Sequence, residues 1–236
     1  MEVTASCIRK SLEALANPEA ALFAQRFFKT GAGEYGEGDI FRGIRVPVLR
    51  KLSVTLDNTP LPEVILLLSS EYHEDRLLAL LLLMRRFCQA HEVDQSRIVD
   101  LYLAHTQLIN NWDLVDISAP HIVGSFLQYR KRTPLYKLVL SESLWERRIA
   151  IIATLHFIRQ SDFADALALA EILLQDKEEL LHKATGWMLR EIGKRNMAAL
   201  EGFLLKHYQR MPRVMLRYAI ERVPEERRQN YLKGRL

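Results

Sequence analysis

Apolar residues recur three and four positions apart along almost the whole chain, the spacing that lines one face of an α-helix. Leu180, Ala184 and Met188 illustrate this stripe in one of its longest stretches. Strand-like alternation is absent apart from a short stretch around residues 31–44. The pattern therefore predicts an all-α protein.

Prolines and short polar stretches divide the apolar stripe into separate helices. Pro18, Pro60, Pro134 and Pro224 stand where a new helix would begin, because the first turn of a helix does not need their missing N–H. The predicted helices cover residues 4–16, 18–29, 46–56, 61–70, 73–90, 94–106, 113–128, 133–140, 144–159, 162–175, 178–194, 197–208, 211–222 and 224–233.

Polar or basic residues return near the start of a long helix at intervals of about 35 residues, the length of a two-helix repeat in an α-solenoid. These positions are Arg76, Asp113 with Asp116, Arg147 with Arg148, Lys183, and Arg213 with Arg217. We therefore expect stacked antiparallel helix pairs that form a single domain over residues 1–236. One helix of each pair would line a concave, basic groove.

Composition narrows the class of protein. With 49% hydrophobic residues, the chain can build a sizeable core, which argues against disorder. Cys7 and Cys88 have no metal-like or disulfide-framework spacing. The beginning of the chain lacks a signal-peptide core, and the longest apolar run, residues 77–84, is too short to cross a membrane. We expect a cytoplasmic protein.

The net charge of +4 and the sequence pI near 9.1 favour an anionic partner, with nucleic acid the first candidate. Many mildly basic proteins bind no anionic partner, so the net charge alone does not predict one. What matters is where the basic residues lie on the folded protein. The basic positions of interest are Arg42, Arg45, Arg50, Lys51, Lys183, Lys194, Arg195, Arg210, Arg213, Arg217 and Arg222. On a concave face they would form a stripe for a phosphate backbone, and on the convex side they would only aid solubility.

Each of the three tryptophans stands near charged residues, and the segment around Trp112 is the most informative. On a helix, Trp112 and Asp116 share a face, so an aromatic surface and a carboxylate would point to one place. Such a pair suits a planar or cationic ligand. A structural alternative is that Asp113 caps the helix with Asp116 as its partner, which leaves Trp112 unexplained.

Two later segments carry residues of the same kind. Arg147 and Arg148 begin an amphipathic helix, and we expect Arg147 on a solvated face. Arg148 lies nearer the apolar face, where an oriented guanidinium could pair with Asp116 or bind a phosphate. Trp187 fits a core position, but the adjacent Gly186 weakens a helix and so indicates close approach by another group.

Other candidate sites are weaker. The segment 31–39 holds four of the ten glycines, but it lacks the strand and the Gly-Lys-Ser/Thr of a phosphate loop, and its acids would repel phosphate. We expect a flexible surface loop or short hairpin that could touch a substrate through Tyr35. The seven histidines show no metal-ligand spacing, and no nucleophile motif is present.

At the Trp-Asp-x-Val-Asp, Trp-x-x-Arg-x-Ala-Ile and Lys-Ala-x-Gly-Trp-x-Leu-Arg-Glu segments, the chain resembles the AlkD family of bacterial DNA glycosylases. These are all-helical HEAT-like-repeat proteins that remove alkylated bases. The resemblance covers nearly the whole chain. It implies that Trp112, Asp116, Arg148 and Trp187 are the catalytic residues.

The resemblance also implies a monofunctional enzyme without a cofactor or metal, acting as a monomer on double-stranded DNA that contains alkylated bases. It would need no obligate protein partner and no membrane, and would lie with the bacterial nucleoid. Phe27 stands where the family has a tyrosine, which keeps an aromatic surface and loses a hydroxyl. DNA contacts are expected from Phe27, Arg45, Arg50, Lys51, Lys183, Arg190, Lys194, Arg213 and Arg217.

The implied chemistry suits these residues. Alkylation at N3 or N7 makes the purine a cationic leaving group, so the main need is a carboxylate that stabilises an oxocarbenium-like sugar. Two alternatives remain open: a non-catalytic protein that binds damaged or branched DNA, to which the glycine-rich loop would point, and a helical scaffold that binds protein.

Overall fold

The computed structural model describes residues 3–235, which form helices joined by short connections. Within this range there is no β-strand, only an isolated bridge between Ile40 and Tyr72. The all-α class predicted from the apolar periodicity is confirmed. The chain divides into two compact units, Met1–Leu114 and Val115–Leu236, and the boundary falls inside a helix. No helix in the described part of the chain has both the length and the apolar character needed to cross a bilayer.

The first unit is organised around one long buried helix. Its helices are α1 (Ala5–Glu13), α2 (Pro18–Phe27), α3 (Val46–Thr55), α4 (Leu61–Leu68), α5 (His73–Gln89) and α6 (Glu92–Ala104), followed by a 3₁₀ turn (Thr106–Leu108) and the start of α7 (Trp112–Ser118). Helices α3, α4 and α6 pack on α5, and α1 packs on α4. Leu78, Leu80 and Leu83 of α5 are fully buried and form the centre of this core.

The first turn of α5 buries four polar residues in succession, His73 to Arg76. The carboxylate of Glu74 accepts hydrogen bonds from the backbone N–H groups of Arg42, Gly43 and Ile44, at 2.8, 2.7 and 3.1 Å. A buried carboxylate that accepts several backbone N–H bonds is well satisfied. Glu74 thereby ties the chain before α3 to the start of α5.

Arg42 is part of this buried network, which corrects its place in the predicted basic stripe. Its Nε and Nη2 donate to the two carboxylate oxygens of Asp75 at 2.7 and 3.1 Å, and its guanidinium lies 3.7 Å above the ring of Tyr72. Only 4% of the Arg42 side chain is exposed. Burial lowers the pKa of Arg42, but Asp75 and Glu13 outweigh it and raise the pKa, so the guanidinium stays charged inside the protein.

The glycine-rich segment 31–39 is a series of turns, not a hairpin. Two of its acids bind its own backbone: Glu34 accepts from Gly31 N–H at 3.0 Å and Glu37 from Gly33 N–H at 2.8 Å. Gly36 is buried so closely that a Cβ there would lie 2.4 Å from the carbonyl oxygen of Phe28. The expectation of a flexible surface loop is therefore wrong at Gly36 and Asp39, which are buried, while Glu37 and Gly38 between them are exposed.

The second unit begins within α7 and continues with a π-helical turn (Pro120–Gly124). Its further helices are α8 (Ser125–Leu127), α9 (Thr133–Leu138), α10 (Leu144–Ala153), α11 (Leu155–Arg159), α12 (Ala164–Ile172), a 3₁₀ turn (Leu173–Gln175), α13 (Glu179–Gly193), α14 (Met197–His207), α15 (Arg213–Ala219) and α16 (Glu225–Lys233). Helix α13 packs against α10, α14 and α15. The predicted repeat positions all fall in the first two turns of α5, α7, α10, α13 and α15.

Two predicted helices are interrupted for local reasons. Pro120 lacks the N–H that an α-helix interior uses, and there the helix widens to a π turn in which Gly124 N–H reaches Ala119 C=O at 2.9 Å. The predicted helix 144–159 breaks at Thr154, whose hydroxyl donates to the carbonyl of Ile151 at 2.6 Å. The four prolines predicted at helix starts do lie at a cap or in a first turn.

Candidate functional site

Helix α7 begins at Trp112, one residue earlier than predicted. Asn111, which is fully buried, accepts a hydrogen bond from the backbone N–H of Trp112 through its side-chain oxygen at 2.8 Å. Asp113 is thus not the residue before the helix but its second member, and its Oδ1 accepts from Leu114 N–H at 2.9 Å. Asp113 is therefore not the cap of this helix, and the residue that precedes the helix is Asn111. Asp116 follows Trp112 by one helical turn.

The second carboxylate oxygen of Asp113 is bound by a residue that the sequence did not single out, His73. The Nε2 of His73 lies 2.8 Å from Asp113 Oδ2, and its Nδ1 lies 3.1 Å from Asp39 Oδ2. His73 is buried, with 2% of its surface exposed. Burial lowers its pKa, but the two carboxylates of Asp113 and Asp39 outweigh burial and raise the pKa to about 9.

Asp39 joins the glycine-rich segment to this arrangement. Besides His73, it accepts hydrogen bonds from the side chain of Asn111 at 3.1 Å and from the guanidinium of Arg76. Burial raises its pKa, but His73 and Arg76 outweigh burial, so the pKa of Asp39 lies below its usual value. Arg76, one of the predicted repeat positions, is thus a buried structural partner of Asp39.

Aromatic rings surround Trp112 in the first unit. Phe28 stacks on Trp112 with ring centroids 5.4 Å apart, and Phe27 meets it edge-on at 6.0 Å. Phe41 and His73 also contact Phe28, with ring centroids 5.1 and 5.0 Å away. These five rings, Phe27, Phe28, Phe41, His73 and Trp112, are called the aromatic cluster below.

The edge of the aromatic cluster is open to solvent. Phe27 is 56% exposed and stacks on Phe23, which is 71% exposed. A cavity of about 660 Å³ lies beside Phe23 and is lined by Phe23, Phe28, Phe41 and His73 among others. Exposed aromatic rings beside a cavity are suited to stacking with a planar group.

In the second unit, Asp116 and Arg148 form a bidentate ion pair. The Nε of Arg148 donates to Asp116 Oδ1 at 2.9 Å and Nη2 to Oδ2 at 2.8 Å, while Nη1 donates to the carbonyl of Leu180 at 2.6 Å. The side chain of Arg148 is 5% exposed and that of Asp116 is 18% exposed. Of the two roles considered for Arg148, the structure shows the pairing with Asp116, and the carboxylate is the more accessible of the two side chains.

Arg147 differs from its prediction as a solvated residue. Its Nε donates to Asp176 at 2.7 Å, and its Nη1 donates to the carbonyls of Ser141 and Glu142 at 2.9 and 2.8 Å. Only 16% of the side chain is exposed.

Trp187 lies in the middle of α13 and is half-buried. Its Nε1–H donates to Glu191 one turn later at 3.2 Å. Burial raises the pKa of Glu191, but Lys194 and Arg195 outweigh it and hold the pKa below its usual value. A charged acceptor therefore fixes one edge of the indole.

Gly186 permits the close approach that its position predicted. A Cβ at Gly186 would lie 2.5 Å from the carbonyl oxygen of Met215 and 2.5 Å from the Cβ of Tyr218. Since both belong to α15, the glycine sets how closely α13 and α15 pack. The approaching group is a helix of the protein, not a ligand.

The predicted DNA-contacting cations occupy both units. Arg45, Arg50 and Lys51 are exposed around α3 in the first unit. In the second unit Arg213 and Arg217 are exposed, whereas three others are in ion pairs: Lys183 with Glu179, Arg190 with Glu221 and Lys194 with Glu191. Exposed ion pairs are weak and can exchange a carboxylate for a phosphate.

Two groups of ion pairs were not predicted from the sequence. His73 and Asp39 pair across 34 positions, and Arg132 binds Asp162 and Asp165 at 2.6 and 2.5 Å across about the same distance. The sequence feature that could have indicated the first group is the run of polar residues 73–76 at the start of α5, directly before its longest apolar stretch. Within residues 3–235 no group of three His, Cys, Asp or Glu side chains is arranged to hold a metal ion.

Comparison with known proteins places the chain among DNA repair proteins. A family model described as DNA alkylation repair enzyme matches residues 8–223. The solved structure of a predicted DNA alkylation repair enzyme from Enterococcus faecalis is similar with a TM-score of 0.69 at 19% identity, over 89% of this chain and 97% of that chain. At this identity the similarity shows a shared all-α fold. No curated protein matches the chain.

Proposed function

Because the chain belongs to the DNA alkylation repair enzyme family, we propose that it is a monofunctional DNA glycosylase. Its substrates would be purines made cationic by alkylation, such as 3-methyladenine and 7-methylguanine, in duplex DNA. A role in DNA repair follows from the family. The reaction type and the residues that perform it are our proposal.

The observation that carries the proposal is the bidentate pair of Asp116 and Arg148. The buried guanidinium holds the carboxylate as an oriented anion, while 18% of the Asp116 side chain stays accessible. A fixed anion suits a reaction whose transition state develops positive charge, because it needs no reorganisation as the charge appears. Hydrolysis of a glycosidic bond is such a reaction.

In the proposed reaction the bond between C1′ and the purine nitrogen breaks, and its electron pair neutralises the cationic base. Asp116 stabilises the positive charge that develops on the sugar. Water then adds to C1′ and gives up its proton towards Asp116, which leaves an abasic site. The leaving base needs little help from a general acid because it departs as a neutral purine.

Arg148 acts through Asp116 in this proposal. Its three guanidinium nitrogens already donate to Asp116 and to Leu180, and the side chain is 5% exposed. A phosphate-binding role, considered from the sequence, would require breaking these bonds. The fork geometry instead fits orientation of the carboxylate.

Trp112 and Trp187 would contact the deoxyribose and the alkylated nucleotide, with their π faces favouring positive charge. Trp112 is supported by Phe28 and Trp187 by Glu191. Contacts to the DNA backbone are proposed for the exposed or exchangeable residues Phe27, Arg45, Arg50, Lys51, Lys183, Arg190, Lys194, Arg213 and Arg217. We propose that the enzyme works as a monomer on DNA of the nucleoid, as one domain over residues 1–236 and with no cofactor.

Release of free base from methylated duplex DNA tests the proposal. The wild-type protein should release 3-methyladenine or 7-methylguanine, identified by chromatography, faster than the same DNA loses them alone. Absence of release together with tight binding to branched or methylated DNA would favour the non-catalytic alternative. Weak binding that is insensitive to salt would favour a protein scaffold.

A further inference from the structure

We propose that His73 is a positioning residue for base excision, which holds Trp112 and the first turn of α7 in place through hydrogen bonds to Asp113 and Asp39. This inference rests on the proposed glycosylase function for its effect on catalysis. The contacts of His73 on which it also depends all lie within the first unit.

The hydrogen bonds require both ring nitrogens of His73 to carry a proton. Each nitrogen faces a carboxylate oxygen, Nε2 at 2.8 Å from Asp113 and Nδ1 at 3.1 Å from Asp39, and a carboxylate only accepts. A neutral imidazole could donate to one of them and would turn a lone pair towards the other. The arrangement is therefore complete only while His73 is a cation.

The charged groups around His73 favour this state. Asp113 faces it from α7 and Asp39 from the glycine-rich segment. A second cation, Arg76, is bonded to Asp39, and the neutral Asn111 donates to the same carboxylate. Two carboxylates thus face two cations in a buried space, and the pKa of His73 near 9 agrees with this balance.

The aromatic cluster extends the support from His73 to Trp112. The His73 ring stacks on Phe41 at 4.6 Å and lies 5.0 Å from Phe28, which in turn stacks on Trp112 at 5.4 Å. Trp112 is therefore held from two sides, by its own helix through Asp113 and by its ring through Phe28. Loss of the Asp113 bond would remove the support that reaches Trp112 through its own helix.

This arrangement also explains the glycine-rich segment. Its close packing at Gly36, against the carbonyl oxygens of Phe28 and Lys29, fixes the chain just before Asp39. Asp39 then binds His73, Arg76 and Asn111 at once. The segment thus supplies the carboxylate that completes the support of the helix start.

The test compares His73→Gln and Asp39→Asn with His91→Gln, which changes an exposed histidine of the same unit. Single-turnover release of 7-methylguanine and the Kd for duplex DNA are measured for each, after circular dichroism confirms folding. We expect His73→Gln to slow release by about 100-fold, the effect of a misplacement of about 1 Å, while the Kd changes little. His91→Gln should match the wild type.

The pH profile separates positioning from a general loss of stability. Release by the wild type should fall as the pH rises through about 9, because His73 then loses the proton that binds Asp113 or Asp39. Asp39→Asn removes one carboxylate, so this decline should move to lower pH. A wild-type rate in His73→Gln, or a decline at the same pH in Asp39→Asn, would overturn the proposal.

A measurement without turnover distinguishes failure of this proposal from failure of the proposed function. In a protein with Trp145→Phe and Trp187→Phe, only Trp112 emits, and its fluorescence should change between pH 8 and 10 and on His73→Gln. If the wild type releases no base but Trp112 responds, the glycosylase function fails and the support by His73 stands. An unresponsive Trp112 overturns the support itself.

Discussion

Arg148 donates two parallel hydrogen bonds to Asp116, from Nε to Oδ1 at 2.9 Å and from Nη2 to Oδ2 at 2.8 Å. The two residues are 32 positions apart, on α10 and α7. The pair converts a partly accessible carboxylate into a fixed one. The proposed chemistry depends on that fixed carboxylate.

Asp116→Asn keeps the shape of the side chain and removes its charge. We expect base release to fall by at least about 100-fold, because the developing sugar cation loses its fixed anion. The Kd for duplex DNA should stay within a few-fold of the wild type. Single-turnover release and fluorescence polarisation measure the two quantities, and unchanged release would refute the role assigned to Asp116. Asp176→Asn, at the partner of Arg147, is the matched control and should keep the rate of release.

Arg148→Lys keeps the positive charge and loses the fork that orients Asp116. We expect slower base release, by about 10-fold or more, since a point charge cannot hold both carboxylate oxygens. Arg147→Lys breaks a similarly placed pair with Asp176 and serves as the control. Equal losses of release in the two variants would mean that both arginines act only through stability, which urea unfolding would show.

Gly186→Ala should destabilise the protein, although alanine favours helices. The new Cβ would lie 2.5 Å from Met215 O and from Tyr218 Cβ, and such overpacking costs about 1–3 kcal/mol. Gly202→Ala is the control, since nothing lies within 4 Å of its Cβ in α14 and it should gain about 0.5–1 kcal/mol. Urea unfolding measures both, and a stable Gly186→Ala variant would contradict the close packing of α13 on α15.

The free energy of unfolding should depend on pH through His73. Its pKa is raised from 6.5 to about 9 in the folded protein, so its stabilisation is complete below about pH 6.5 and is lost as the pH rises through 9. The contribution is of the order of 3 kcal/mol at about 1.4 kcal/mol per pKa unit. His73→Gln should flatten this dependence of the unfolding free energy on pH, while His91→Gln should keep it. Urea unfolding of the three proteins at pH 6, 7.5 and 9 measures the dependence.

Arg50→Ala should weaken DNA binding without loss of stability, because Arg50 is exposed on α3. If it contacts a phosphate, the slope of log Kd against log salt should decrease by about one. Arg97→Ala removes an exposed arginine of α6 that lies outside the proposed contacts, and its slope should equal the wild-type slope. A slope unchanged by Arg50→Ala would remove Arg50 from the DNA contacts.

Local features of the fold were predictable because they depend on neighbours in sequence. The apolar periodicity predicted the helices, and four prolines indicated where helices begin. Pro120 lies inside the predicted helix 113–128, and a proline at such a position signals the interruption that the structure shows there. The pairing of Arg148 with Asp116 was open to prediction because Arg148 sits one position nearer the apolar face than Arg147.

By itself, the sequence determined the all-α class, the approximate positions of most helices and the motifs shared with the DNA alkylation repair enzyme family, since these are properties of short segments. The tertiary structure decided which charges are buried and with whom. Arg42 was predicted in a basic stripe, Arg147 was predicted on a solvated face, and His73 had no predicted role. Each of them binds a carboxylate about 30 or more positions away. A buried charge requires a partner, and only the folded chain shows which distant residue provides it.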